Sequence, residues 1–161
     1  MNADAFRHFF GYHFNENRNL WDAIMTLTDE QFGQEAGYSR GSVRNQVVHL
    51  MNVDRVWFSE LQAIEVKNLP KPEDFADREE MRAYWDGIEQ DMRAYLDALR
   101  DDMLTDKPIV EEDDSNLIVW QVLLHVVNHA TDHRAQILRL LNDLGVETVS
   151  QDYIFYVYDH P

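Results

Sequence analysis

Four long segments of the sequence repeat apolar residues at helical spacing, and this pattern constrains the fold more than any other feature. In each segment apolar side chains recur three or four residues apart, which is typical of an amphipathic helix with one buried face. Stretches rich in glycine or proline separate the segments, and no clear strand pattern appears. The segments cover residues 3–27, 42–64, 77–103 and 117–144 approximately. The sequence therefore predicts an all-α protein, a four-helix bundle of up-and-down or similar arrangement.

Local signals mark where these helices begin and end. Ser42 is a favourable N-cap for the second helix, and Gly145 stands where a left-handed C-cap would end the fourth. The TDEQ stretch at 28–31 suggests one short helical turn. The aromatic tail QDYIFYVYDHP, residues 151–161, is expected to form a short strand or an irregular cover over the end of the bundle. A chain of 161 residues without internal repeats predicts one domain, 1–161.

Composition excludes several classes of function. The chain carries 30 acidic and 14 basic residues, so its net charge of -16 disfavours nucleic-acid binding. Cysteine is absent, which excludes disulfides, thiolate metal ligands and a cysteine nucleophile. No run of 18 apolar residues is present and the N-terminus does not resemble a signal peptide. We therefore expect no membrane association and a cytoplasmic location.

Three histidines at spacings of four occur in the fourth segment, within HVVNHATDHRAQ. His129 and His133 share the apolar face of the predicted helix, so both imidazoles point into the bundle. Two buried polar rings need partners, and a divalent cation can satisfy both. Hydrogen bonds to carbonyls or carboxylates are the alternative explanation. His125 lies near the edge of this face, where a structural or supporting role fits best, although a site built on His125 and His129 remains open.

A third metal ligand would have to come from another helix, and His49 on the second helix is the candidate. It lies beside the main apolar stripe, a position compatible either with facing a neighbouring helix or with exposure to solvent. His8 and His13 are five residues apart, which is an awkward spacing for joint coordination, and the phenylalanines around them indicate packing roles.

Longer motifs carry a family resemblance. The stretch LLHVVNHATDHRAQILRLLNDLGVETVSQDYIFYV, preceded by GSVRNQVVHLMNVDRVWFSEL, resembles the DinB and YfiT-like superfamily of bacterial four-helix-bundle candidate metalloenzymes. The resemblance implies that His49, His129 and His133 are metal ligands and that coordination positions stay open. It also implies a homodimer. The sequence departs from a common form of the motif at Ala130, often glycine, and at Asp132, often histidine.

The chemistry of such a site can be stated separately. Three neutral imidazoles leave a divalent ion with its full charge, so the site would act as a Lewis acid. The all-nitrogen ligand set suits zinc or nickel, and iron or manganese if water fills further positions. Supporting hydrogen bonds to the histidines can come from Asn128, Asp132 or Gln136. Asp132 and Arg134 could equally be solvated or paired at the surface, and for these two residues we favour the surface position.

The function that we expect rests on the resemblance alone. Characterised relatives use low-molecular-weight thiols such as bacillithiol, mycothiol or glutathione, which implies an S-transferase or isomerase that presents a small thiol to a small electrophile. Two alternatives remain: a metal-dependent hydrolase, in which the ion activates water, and a non-catalytic dimeric stress or binding protein whose metal is structural or absent.

Overall fold

The computed structural model describes all residues, 1–161, and every regular element in it is helical. Six α-helices are joined by loops and by two 3-10 turns, at Pro72–Asp74 and Asp101–Thr105. None of these helices carries a stretch long and apolar enough to cross a lipid bilayer. The α-helices are α1 (Ala3–Ile24), α2 (Asp29–Gly33), α3 (Val43–Glu60), α4 (Arg78–Ala98), α5 (Val119–Asp143) and α6 (Tyr153–Asp159).

The four long helices form the expected bundle, with an order around its axis that the sequence left open. Helix α5 packs beside α1 and α3, and α4 packs beside the same two. The consecutive long helices α1 and α3 are therefore diagonally opposite, and large side chains connect them through the core. The rings of Phe10 and Phe58, for example, meet edge to face with centroids 5.3 Å apart. This order places α3 and α5, the two helices with the candidate ligands, side by side.

Predicted helix ends are confirmed where capping residues determine them. The hydroxyl of Ser42 accepts the backbone N–H of Asn45 at the start of α3. Thr28 caps the short α2 in the same way, at the place where the TDEQ stretch predicted a helical turn. Gly145 has φ +80°, and its N–H bonds to the carbonyl of Asn142, which closes α5.

The third segment ends earlier than predicted. Helix α4 stops at Ala98, whereas the apolar pattern extends to residue 103. The guanidinium of Arg7 on α1 donates to the carbonyls of Leu96 and Leu99 at 2.6 and 3.0 Å, and so satisfies the backbone where the helix ends. The chain continues into the second 3-10 turn, which lies against α5. The apolar pattern beyond Ala98 therefore indicates that apolar residues there are buried, and it does not indicate that the helix continues.

The prediction of a strand-like or irregular tail was wrong, because residues 153–159 form helix α6. A strand would need a neighbouring strand for its backbone hydrogen bonds, and the fold contains none. A helix satisfies its own backbone groups and turns one side towards α1. There Tyr153 and Tyr156 make edge contacts with His8, which supports the packing role predicted for that histidine.

The prediction of a surface position for Arg134 was also wrong. Its side chain is 1% exposed and lies in the core between α1 and α5. The guanidinium donates to Gln151 Oε1 at 3.1 Å, to Asn17 Oδ1 at 3.0 Å and to Thr131 Oγ1 at 3.1 Å. A buried cation is tolerated when its donors all find acceptors and a countercharge is near.

That countercharge is Asp54 on α3, reached through His13 on α1. His13 Nε2 lies 3.3 Å from Asp54 Oδ2, and its Nδ1 lies 3.4 Å from the guanidinium of Arg134. All three side chains are at most 1% exposed. The packing role predicted for His13 is thus combined with a polar one, since its ring links three helices through a buried chain of polar groups.

Candidate metal centre

The structure brings together the three histidines that the resemblance implied as metal ligands. His49 extends from α3, and His129 and His133 extend from α5. One ligand nitrogen from each of the three lies within 4.8 Å of the other two. Nε2 of His49 lies 3.3 Å from Nε2 of His129. The His49 and His133 ring centroids are 4.5 Å apart, and those of His129 and His133 are 4.3 Å apart.

Local sequence explains how these rings converge. His129 and His133 are one helical turn apart, so their side chains point the same way from α5. Ala130 and Ile137 are fully buried near them and hold that face of α5 against the bundle. On α3, the neighbours Val48 and Leu50 are buried while His49 is half-buried, at the margin of the apolar stripe. The histidines therefore meet at the edge of the α3–α5 contact, where solvent and small molecules have access.

The surroundings keep the three imidazoles neutral. Burial, and after it the positive charge of Arg40, lower the pKa of His49 from 6.5 to about 4. Burial and the neighbouring His133 lower the pKa of His129 to about 4 as well. The pKa of His133 is also lowered by burial, although the negative charge of Asp132 opposes the shift. Neutral rings have the free lone pairs that metal coordination needs.

A glutamine that was assigned no role from the sequence orients one of the rings. Nδ1 of His133 lies 3.1 Å from Oε1 of Gln46, which is fully buried on α3. Because an amide oxygen can only accept, Nδ1 of His133 carries the proton and its Nε2 is left with the lone pair. Gln46 precedes His49 by three residues and shares its helical face, which is the only signal of this role in the sequence.

The chain of hydrogen bonds continues to two residues that the sequence predicted as supporting groups. Gln46 donates through Nε2 to Oε1 of Gln136 at 3.0 Å, and Gln136 donates to Asp132 Oδ2 at 2.9 Å. Asp132 is exposed, as expected. Neither Asp132 nor Gln136 makes a hydrogen bond to a candidate ligand, so their hydrogen bonds reach His133 only through Gln46, while the charge of Asp132 acts on His133 directly.

The two other predicted supporting residues lie further from the group. His125 is exposed and packs its ring edge to face on Trp57, with centroids 5.1 Å apart. It is outside the three-histidine group, although its ring centroid is 5.7 Å from that of His129. Asn128 is exposed on α5. The roles proposed for His125 and Asn128 stay predictions.

The residues present fit a divalent ion. Two nitrogens that each lie about 2.05 Å from one tetrahedral ion are about 3.3 Å apart. The Nε2 atoms of His49 and His129 have this separation, 3.3 Å. The proton position on His133 also leaves its Nε2 free. The group can therefore accommodate a divalent metal with small side-chain adjustments.

The loop before α3 contributes a positively charged side chain, that of Arg40, to the three-histidine group. Arg40 donates from Nη2 to Nε2 of His49 at 3.1 Å. Its neighbour Ser39 has φ +53°, a left-handed conformation that is unusual for a residue with a side chain, and donates its hydroxyl to Oε1 of Gln136. The loop is thus fastened to the hydrogen-bond chain that supports His133, and it positions a guanidinium over the histidines.

Fold and site together define a class: an all-helical bundle with a three-histidine candidate metal centre between two of its long helices. The family model described as DinB family matches residues 1–160 of the chain. The chain therefore belongs to the DinB family, as its motifs predicted. No curated protein matches it in a search of whole sequences.

Proposed function

We propose that the protein binds a divalent metal ion through His49, His129 and His133, and that it uses the ion in thiol-dependent S-transfer to, or isomerisation of, a small electrophile. The observation that carries the proposal is the meeting of three neutral imidazoles from two helices, with two Nε2 atoms 3.3 Å apart. Zinc or nickel suits this ligand set best, and iron or manganese are the further candidates. We also propose that the protein forms a homodimer and is located in the cytoplasm.

An ion bound there would supply a Lewis acid that lowers the pKa of a coordinated thiol or water. The protein's own residues prepare the site for it. Burial keeps His49 and His129 unprotonated at neutral pH, with the pKa of each at about 4. Gln46 holds the proton of His133 on Nδ1 and fixes the direction of its ring.

The nucleophile in this proposal comes from a cosubstrate. The chain contains no cysteine, so a sulfur nucleophile has to enter as a small thiol. The half-buried position of the histidines leaves one side of the group open for such a molecule. Three protein ligands and an open position are the arrangement usual in catalytic metal sites, whereas structural sites are generally closed by four ligands.

The first experiment measures metal content by plasma mass spectrometry on tag-free protein, with His49→Ala and His133→Ala beside the wild type. We expect near-stoichiometric metal in the wild type and loss of the metal in both variants, with helical content retained. The control is His160→Ala, which removes an exposed histidine near the C-terminus, outside the three-histidine group. Metal-free wild type that cannot be reloaded, or equal loss in the control, would contradict the proposed site.

A second experiment tests the thiol chemistry. Metal-loaded protein is incubated with small electrophiles, with and without an added thiol. Conjugation or isomerisation that requires the thiol supports the proposal. Turnover that proceeds equally well without any thiol would identify a hydrolase in its place.

A further inference from the structure

Arg40 has no acidic partner, although the chain carries 30 acidic residues. Its side chain is exposed and its guanidinium makes one hydrogen bond, to Nε2 of His49. Arg139, further along on α5, shows the usual alternative, because it pairs with Asp143 at 2.9 Å. The one acceptor that Arg40 uses is a nitrogen that we propose as a metal ligand.

This hydrogen bond and metal coordination compete for the same lone pair. If His49 Nε2 coordinates an ion, Arg40 loses its acceptor and its positive charge faces a second positive charge. The backbone keeps Arg40 close, because its carbonyl accepts from Asn45 Nδ2 at 3.0 Å and Ser39 is bonded to Gln136. A guanidinium held beside a cation is stable when an anion lies between the two.

We propose that Arg40 is the receptor for an anionic group of the ligand, specifically for a carboxylate carried by the thiol cosubstrate. The guanidinium presents a planar pair of donors that matches a carboxylate, and it lies beside His49, one of the three proposed metal ligands. This inference rests on the proposed function and deepens it, because it names the chemical class of thiol. It also explains how a strongly acidic protein takes an anionic ligand: Arg40 and the ion form a local positive region.

The test uses two thiols of equal length and different charge, mercaptoacetate and 2-mercaptoethanol. Protein loaded with Co²⁺ is titrated with each thiol, and binding is followed by the sulfur-to-cobalt charge-transfer absorption. The ratio of the two dissociation constants is compared between wild type and Arg40→Gln. Arg139→Gln is the matched control, since it removes the same charge from a paired arginine on the surface of α5. Cobalt itself prefers a chelating thiol, but this preference is the same in the wild type and the variants. It therefore cancels when their ratios of dissociation constants are compared.

We expect the preference for mercaptoacetate to fall by about tenfold in Arg40→Gln, the effect of losing a charge-assisted contact at an exposed site, and to be unchanged in Arg139→Gln. An equal preference in wild type and Arg40→Gln, with both thiols binding, overturns the inference and leaves the proposed function standing. Failure of the protein to bind cobalt, or of both thiols to bind the loaded protein, overturns the proposed function and this inference with it. Arg40→Lys separates charge from shape: retention of the full preference would contradict bidentate recognition by the guanidinium.

Discussion

Oε1 of Gln46 on α3 lies 3.1 Å from Nδ1 of His133 on α5, so a buried amide of one helix determines which nitrogen of a histidine on the next helix carries the proton. The bond crosses the same helix pair that supplies the three histidines. Gln46 thereby couples the packing of α3 on α5 to the chemistry of the site.

Replacement of Gln46 by alanine should weaken metal binding without removing it. The ring of His133 would lose the acceptor that fixes its orientation and tautomer, a change that typically costs about 10- to 100-fold in metal affinity. A competition titration with a chromogenic chelator measures the effect. Gln90→Ala, at an exposed position on α4, is the control and should leave the affinity unchanged. Equal affinity in Gln46→Ala and wild type would show that His133 is oriented by other contacts.

The metal-free protein should lose stability as the pH falls from about 6.5 towards 4. In this range the unfolded chain protonates His49 and His129, while the folded protein resists protonation because the pKa of each is about 4. The unfolded state then binds more protons, so the free energy of unfolding decreases as the pH decreases. As the pH rises above 6.5 the unfolded chain also loses these protons, so the contribution of these histidines to the pH dependence fades.

Urea unfolding of metal-free protein at several pH values between 4 and 7.5 measures this dependence. His129→Gln removes one of the two groups and should give a shallower loss of stability on acidification than the wild type. His160→Gln, which changes an exposed histidine near the C-terminus, is the control for the loss of a histidine as such. Identical pH dependence in wild type and His129→Gln would rule out His129 as a source of the effect.

Helical periodicity predicted the four long helices because each must bury one apolar face. That requirement produces apolar residues at helical spacing, which can be read from the sequence of a single segment. The spacing of His129 and His133 likewise follows from one helix alone. The functions of Gln46, Arg40 and Arg134 depend on which helix faces which, and at what height along the axis, and a single segment carries no information about either. The surface position predicted for Arg134 failed for this reason, since its acceptors come from separate parts of the chain.

Two glycines should respond to alanine in opposite directions. Gly87 lies within α4 on its exposed side, and an added Cβ would meet nothing within 4 Å, so Gly87→Ala should stabilise the protein by about 0.5–1 kcal/mol. Gly145 has φ +80° at the end of α5, where an alanine is strained, and Gly145→Ala should destabilise by about 1 kcal/mol. Thermal unfolding of the two variants at one pH measures both effects, and the pair controls for the chemistry of the substitution. A loss of stability in Gly87→Ala would contradict the assignment of residue 87 to a regular, exposed helical position.

Two arginines on α5, five residues apart, should differ strongly in their contribution to stability. Arg134→Met would retain much of the side-chain volume but leave Asn17, Gln151 and Thr131 without their donor, and Asp54 without the nearby positive charge. Breaking a buried polar cluster from one side costs about 3–5 kcal/mol, so a large fall in the urea midpoint is expected. Arg139→Met removes only an exposed pair with Asp143 and should cost less than about 1 kcal/mol.

Arg134→Met also shows whether the buried cluster supports the metal site. Asp54 lies on α3 with His49, and its negative charge raises the pKa of His129 against the effects of burial. Because Arg134 stabilises the fold of α1, α3 and α5 without touching a candidate ligand, metal affinity measured under conditions where Arg134→Met is fully folded should stay within about threefold of the wild type. A much larger loss of affinity in the folded variant would mean that the core cluster and the histidine site form one coupled network, and double substitution of Arg134 and Gln46 would then give non-additive losses.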